Sequence, residues 1–288
     1  MPSVFLLTGS SRGLGRAIAA AVLQDGHQLI ATARHRETLA DLVRAHGDRV
    51  LTLDLDVTDA VQAQSVVAAG VDRFGRIDVV VNNAGYADIA AVEDVTLQDF
   101  RAQIDTNLFG VVNVTKAALP VLRAQGSGHV IQVSSIGGRL ATPGLSAYQA
   151  AKWAVGGFSS VLAREVEPLG IRVTVLEPGG MQTDWAGSSM TVPPISEPYR
   201  ATVGAMAALH NADTLALGDP AKVAGVVLQV AAMDRPPLRL ILGSEAYAYA
   251  AAAARRQTES DARWRELSVS TDRDGATAAD RDPLGSAQ

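Results

Sequence analysis

Short aliphatic runs alternate along this chain with longer stretches in which apolar residues recur every three or four positions. The runs are Val4–Leu7, Leu29–Ala33, Val50–Leu53, Ile77–Val81, Val130–Val133, Val173–Leu176 and Leu238–Leu242. Each is short and nearly all apolar, as a strand buried on both faces must be. Between them the periodicity predicts helices over Leu14–Gln24, Glu37–Ala45, Ala60–Phe74, Leu97–Arg123, Ala147–Glu167 and Ala221–Ala232. Gly26, Gly75 and Gly170 stand where the first, third and fifth of the helices between strands should stop. Regular β-α-β alternation predicts a parallel sheet with right-handed crossovers. The expected fold class is therefore α/β, a doubly wound Rossmann-like sheet of about seven strands with helices on both faces.

Two stretches break the rhythm. From about residue 184 to 219 the chain carries Pro193, Pro194 and Pro198, with a weak helical signal over Ala201–His210. Insertions between a late strand and the next helix often cover ligands, so a lid is expected there. After Ser244 an Ala-rich helical segment runs through Arg255 and Arg256 to Leu267, followed by a polar tail to Gln288. Residues 255–288 hold six Arg against seven Asp or Glu, the pattern of a solvated segment rather than a basic arm. The expected organisation is one catalytic domain over residues 1–250, lid included, and an extension over 251–288.

Composition narrows the possible functions. Of 288 residues 48% are hydrophobic and 19% charged, which suits a folded chain with a sizeable core. The formal net charge is −5, so nucleic acid is not an expected partner. With no cysteine, disulfides, thiolate zinc sites and cysteine nucleophiles are excluded. The five histidines, His27, His35, His46, His129 and His210, show no metal-ligand spacing, and no metal is expected. No apolar run reaches the ~18 residues that span a bilayer, and the start lacks a charged leader. A cytoplasmic protein without a membrane partner is the expectation.

The first strand runs into Thr8-Gly9-Ser10-Ser11-Arg12-Gly13-Leu14-Gly15 and then a helix. Glycines in such a turn let backbone approach a pyrophosphate, and the helix N-terminus offers free N–H groups and partial positive charge. Gly9, Ser11 and Gly13 also match a hydrolase nucleophile elbow, but only one strand precedes them and no oxyanion-loop motif does. A P-loop fails too, since no Gly-Lys-Ser or Gly-Lys-Thr follows.

Farther along, the turn is joined by Asn82-Asn83-Ala84-Gly85, by Asn107, Ser135, Tyr148 and Lys152, and by Pro178-Gly179 with Met181 and Thr183. Together these resemble the short-chain dehydrogenase/reductase family, in its compact single-domain branch, over about residues 4–245. Ser135 and Tyr148 are 13 residues apart, a spacing typical of that branch. By composition, Tyr-x-x-x-Lys should occur roughly 0.05 times by chance. The resemblance implies that Asn107, Ser135, Tyr148 and Lys152 form a catalytic tetrad, with Asn107 helping to hold a water in a proton relay to Lys152. It implies that Gly9, Ser11, Arg12, Gly13, Leu14 and Gly15, then Asn83, Ala84 and Gly85, line a nicotinamide dinucleotide. Tyr148, Lys152, Pro178, Gly179, Met181 and Thr183 fall on its nicotinamide side, and Asp56 with Val57 near its adenine. Met181 departs from the β-branched aliphatic residue more common at its position.

The tetrad makes sense apart from the family. Tyr148 and Lys152 are i and i+4 on one predicted helix and share a face. A neighbouring ammonium favours the phenolate, the sign needed to bring a phenol toward neutral titration. Ser135 follows a strand at the carboxyl edge of the sheet, where ligands bind in open α/β folds.

An NAD enzyme usually has an acid at the end of the second strand. Here the strand ends Ala33-Arg34-His35-Arg36. Arg34, with Arg12 in the turn, matches basic positions that the family associates with NADP, and a guanidinium suits a 2′-phosphate. The expected cofactor is NADP(H). The expected activity is hydride transfer between nicotinamide and a carbonyl or secondary alcohol, chiefly ketone or aldehyde reduction. The alternative is a non-catalytic NADP-binding sensor of the same fold. The expected partners are a small carbonyl or alcohol substrate and further copies of the chain, as a homodimer or homotetramer.

Overall fold

The computed structural model describes residues 2–181, 190–211, 217–277 and 280. Seven strands make one parallel sheet: β1 (Val4–Leu7), β2 (Gln28–Ala33), β3 (Val50–Asp54), β4 (Val79–Asn82), β6 (Gly128–Val133), β7 (Ile171–Pro178) and β9 (Arg239–Leu242). Their spatial order is β3-β2-β1-β4-β6-β7-β9. The chain thus winds outward from β1 to one edge, then from β4 to the other. This is the Rossmann-like α/β fold expected from the alternation, and its switch point lies between β1 and β4.

Burial on both faces is visible inside single strands. Phe5 and Leu7 of β1 point into one apolar layer with Ile18 and Val22 of α1 (Gly13–Gln24) and Val223 and Val227 of α8 (Pro220–Ala232). Val4 and Leu6 point the other way, toward Val66 of α3 (Ala60–Phe74), Val114 of α5 (Gly110–Gln125) and Leu162 of α6 (Ser146–Val166). Local signals set the helix ends. The Asp59 carboxylate accepts from the N–H groups of Val61 and Gln62 at the start of α3, and Gly75 closes it in a left-handed conformation. Asp219 caps α8 the same way, with Pro220 in its first turn. A shorter helix, α2 (Ala40–His46), follows β2.

The helix expected over Leu97–Arg123 is present and carries a π turn in its first half. It forms α4 (Leu97–Ile104), a π turn (Asp105–Phe109) and α5. Asn107 lies in the turn, where its Nδ2 donates to the Gln103 carbonyl four residues back, at 2.9 Å. A side chain that takes an i−4 carbonyl competes with the backbone ladder there.

Two short strands went unseen in the sequence: β5 (Ala87–Asp88) and β8 (Met190–Thr191), paired in parallel. They tie the arm after β4 to part of the expected lid, over a small apolar cluster of Ile89, Ala91, Val203 and Ala207. The weak helical signal corresponds to a π turn (Arg200–Gly204) and α7 (Ala205–Asn211). Two compact units divide the chain, Met1–Tyr247 and Ala248–Gln288. The division falls within α9 (Ser244–Arg263), and α10 (Arg265–Val269) follows with Leu267 and Val269 exposed. Among the described residues no helix is long and apolar enough to cross a membrane.

Candidate active site

The glycine turn sits at the switch point, at the carboxyl ends of β1 and β4. Gly9 and Gly13 have φ of 69° and 52°, which favour glycine. A Cβ on Gly15 would run into the Gly9 carbonyl and lie 2.5 Å from Asn83 Nδ2, so close contact between turn and loop demands a bare backbone. Thr8 locks the two together: its Oγ1 accepts from the N–H groups of Asn83 (2.9 Å) and Ala84 (3.0 Å). Asn83 Nδ2 donates back to the carbonyls of Thr8 and Gly9. Leu14 is buried in the α1 layer. Arg12 is extended at the N-cap of α1 and gives no side-chain cap bond, while Ser11 is half-buried beside it. The first turn of α1 therefore directs backbone donors at a bare glycine cradle, which fits a bound pyrophosphate.

Beyond β2 and β3 the surface is open and charged. Arg16 pairs with Asp41, and Arg73 with Asp48. The Arg36 N–H donates to Asp54 Oδ1 at 2.7 Å, and its guanidinium lies 3.7 Å from the same carboxylate. Arg34 makes no hydrogen bond or ion pair among the described residues and lines a cavity of about 590 Å³ with Asp54, Asp56 and Gln62. Asp56 accepts from the Thr58 N–H and hydroxyl, a local turn ahead of α3. Val57 packs where a Cβ on Gly110 would clash, and its carbonyl accepts from Asn113.

Of the four residues expected to form the tetrad, Ser135, Tyr148 and Lys152 come together on the other side of the switch point. Ser135 ends the extended segment after β6, and its hydroxyl accepts from the Gly137 N–H at 3.0 Å and hydrogen-bonds the Tyr148 phenol. Tyr148 and Lys152 lie in α6, 7% and 3% exposed. Lys152 Nζ stands 5.6 Å from the Tyr148 ring centroid and donates to the Val133 carbonyl at 2.9 Å. Burial dominates both titrations. It pushes the Tyr148 phenol up to about 12, against a lowering by Ser135, and pushes Lys152 down to about 8. The downward shift expected for Tyr148 from its neighbouring ammonium is absent: desolvation sets the direction, and Ser135 supplies the opposing effect.

Asn107 is fully buried and faces the arm. Its Nδ2 donates to the carbonyls of Tyr86 (2.8 Å) and Gln103, and its Oδ1 accepts from the Tyr86 N–H at 3.3 Å. Both amide protons are committed, so the side chain has none for a relay water. A Cβ on Gly85 would lie 2.6 Å from that same Oδ1. Pro178 ends β7, the Gly179 N–H donates to the Leu242 carbonyl, and Met181 bridges to Gly218. Thr183, and Trp185 in the expected lid, lie outside the described residues.

Several residues were not singled out from sequence. Gln103 Oε1 accepts from the Asp88 N–H, and Gln149 exchanges two hydrogen bonds with Thr142 to hold the loop after Ser135. Glu177, immediately before Pro178, is fully buried between Arg139 and Arg239. A lone carboxylate next to an all-aliphatic run was the signal for it. Among the described residues no cluster of three or more His, Asp or Glu is placed to hold a metal.

Residues 3–191 match the profile of the short chain dehydrogenase family. The chain belongs to that family. This short-chain dehydrogenase is 57% identical to the oxidoreductase BOA17 of Botryotinia fuckeliana, over 94% of its own length and 100% of the relative's. A short-chain dehydrogenase from Streptomyces avermitilis superposes with a TM-score of 0.89 at 38% identity, covering 95% and 99% of the two chains. An alcohol dehydrogenase from Thermococcus sibiricus, complexed with 5-hydroxy-NADP, superposes with a TM-score of 0.70 at 28% identity, covering 84% and 96%. The short-chain dehydrogenase described here is an oxidoreductase.

Proposed function

We propose that this short-chain dehydrogenase reduces a ketone or aldehyde with NADPH, using Tyr148 as the proton donor. The observation that carries the reading is the buried, hydrogen-bonded Ser135–Tyr148 pair with the Lys152 ammonium against the same ring. When bound, the dinucleotide supplies hydride from nicotinamide C4. Ser135 holds the substrate oxygen beside the Tyr148 hydroxyl. A phenol held near 12 by burial is protonated throughout the neutral range, and reduction needs a loaded donor. Lys152, charged below about 8, favours the phenolate left after transfer and binds the nicotinamide ribose. Asn107 acts through Tyr86, whose backbone it fixes, and it packs against the bare Gly85 beside Lys152.

Gly9, Ser11, Gly13, Leu14 and Gly15 cradle the pyrophosphate, with Asn83, Ala84 and Gly85 opposite. Pro178, Gly179, Met181 and Thr183 flank the nicotinamide, and Asp56 with Val57 flank the adenine. The preference for NADP rests on Arg34 together with Arg12. Neighbouring Arg16 and Arg36 are engaged by Asp41 and Asp54, whereas Arg34 makes no ion pair among the described residues. No carboxylate stands at the end of β2 to accept a ribose hydroxyl. The 5-hydroxy-NADP bound by the Thermococcus relative supports the same reading. Exposed Phe109, Trp153 and Val161, on the π turn and α6, suit assembly into a homodimer or homotetramer.

The test is nicotinamide absorbance against a panel of carbonyls, with NADPH and then NADH, on wild type and Tyr148→Phe. Turnover that prefers NADPH and vanishes in the variant supports the reading. Tight NADPH binding without turnover across the panel would favour a regulator that kept the fold. Failure to bind either nucleotide would sink both.

A further inference from the structure

Glu177 is the buried carboxylate of β7. Its side chain has no solvent exposure; one oxygen lies 2.6 Å from Arg139 Nη2 as an ion pair without hydrogen-bond geometry, and the other accepts from Arg239 Nε at 2.9 Å. The two arginines come from different segments and are about one-third exposed. Arg139 closes the turn that Ser135 caps: the Gly138 N–H donates to the Ser135 carbonyl and the Arg139 N–H to the Ile136 carbonyl. Arg239 lies on β9, opposite Val175 in register, and its guanidinium fills the space above Gly156, where a Cβ would come within 3.0 Å. Gly156 is one turn beyond Lys152 on the same face of α6. The Ser135 turn also packs on that helix, since a Cβ on Gly138 would lie 2.9 Å from the Lys152 carbonyl oxygen. Glu177 itself adjoins Pro178 and Gly179.

We infer that Arg139, Glu177 and Arg239 form an ionic clamp that positions Ser135 against Tyr148 and the Pro178-Gly179 segment. The inference rests on the catalytic reading above and adds three positioning residues to it. A carboxylate deprived of water is held by charge from two sides, so the Ser135 turn, the end of β7 and the middle of α6 share one geometry. None of the three touches reacting atoms. Their effect should fall on the chemical step, which depends steeply on alignment, and leave dinucleotide binding in place.

Glu177→Gln would strand two guanidinium groups and can fail through folding alone. Arg139→Gln is the sharper variant, because Arg239 still neutralises Glu177 and Arg139 is partly solvated. It is compared with wild type, with Arg139→Lys, and with Arg76→Gln, which breaks an ion pair with Asp78 away from the site. The readouts are melting temperature, NADPH affinity by fluorescence, and kcat and KM on a panel carbonyl. The expected result for Arg139→Gln is a kcat lowered about tenfold or more, with NADPH affinity within about twofold. Arg139→Lys should recover a large part of that loss, and Arg76→Gln should resemble wild type. A kcat within about twofold of wild type in Arg139→Gln overturns the clamp, as does a loss that Lys does not recover. Absence of wild-type NADPH binding counts against the parent reading instead.

Discussion

The two ends of the cleft are built on opposite principles. Around Tyr148 and Lys152 nearly everything is dry, and burial moves both groups toward their neutral forms. Around Arg34 the surface is wet, and most nearby charges already have partners. Desolvation therefore tunes the proposed reacting end in the protein alone, whereas the far end holds Arg34, the cation proposed to meet a 2′-phosphate. A charge change should accordingly cost rate at one end and nucleotide selectivity at the other.

The largest effect is expected from Tyr148→Phe. Removing the proposed proton donor should lower kcat by about 10³-fold, within the usual range for general acids, while NADPH affinity stays within about threefold. A comparable loss of affinity would mean that the Tyr148 hydroxyl serves binding rather than proton transfer. Next comes Arg34→Ala. Losing charge-assisted bonds of about 2 kcal/mol should lower kcat/KM for NADPH about 30-fold and leave NADH nearly unchanged. Arg36→Ala, already engaged by Asp54, should change either value by less than about threefold. Equal effects from the two variants would dissolve the contrast between paired and unpaired arginines.

Over pH, reduction should stay level through neutrality and fall above about 8 as Lys152 loses its proton. Alcohol oxidation, which needs the phenolate, should rise over the same range, by less than about tenfold per unit. The same Lys152 shift carries a stability sign. Its folded titration near 8 lies below its ordinary value of 10.5, so unfolding takes up a proton between the two and stability rises with pH there.

A further effect, on stability alone, lies away from the cleft. His129 in β6 is buried and pushed down to about 3, chiefly by desolvation. Thr174 Oγ1 donates to the Pro237 carbonyl, so it accepts from His129 Nε2–H, and Nδ1 is left without a partner. A second ring proton would have no acceptor. Unfolding therefore takes up a proton between about 3 and 6.5, and stability falls as pH drops through that window. His129→Gln should flatten this acid arm by about 1–2 kcal/mol in denaturant titrations at about pH 5 against about pH 7.

The seven sheet strands were legible because each is an aliphatic run too short for a buried helix and too apolar for a loop. The proximity of Ser135, Tyr148 and Lys152 was legible because a strand end and one helix turn fix where their side chains go. The π turn at Asn107 was not. It depends on a side-chain amide capturing the Gln103 carbonyl, and no glycine or proline marks it. The β5–β8 pair escaped notice because two-residue strands have no periodicity. Glu177 was hidden for a different reason: its partners are 38 and 62 residues away in sequence, and it takes the register of β7 with β9 to bring Arg239 and the turn after β6 to bring Arg139.

The π turn at Asp105–Phe109 also sets a rotational phase. It inserts one extra residue into what would otherwise be a continuous cylinder, offsetting everything before it by about 100° relative to α5. With that offset Gln103 reaches Asp88, and Asn107 reaches Tyr86. Deleting one residue there would yield a smoother helix and swing Gln103 off the arm while α5 stayed seated. Here, the irregular segment is what makes two parts of the molecule commensurate.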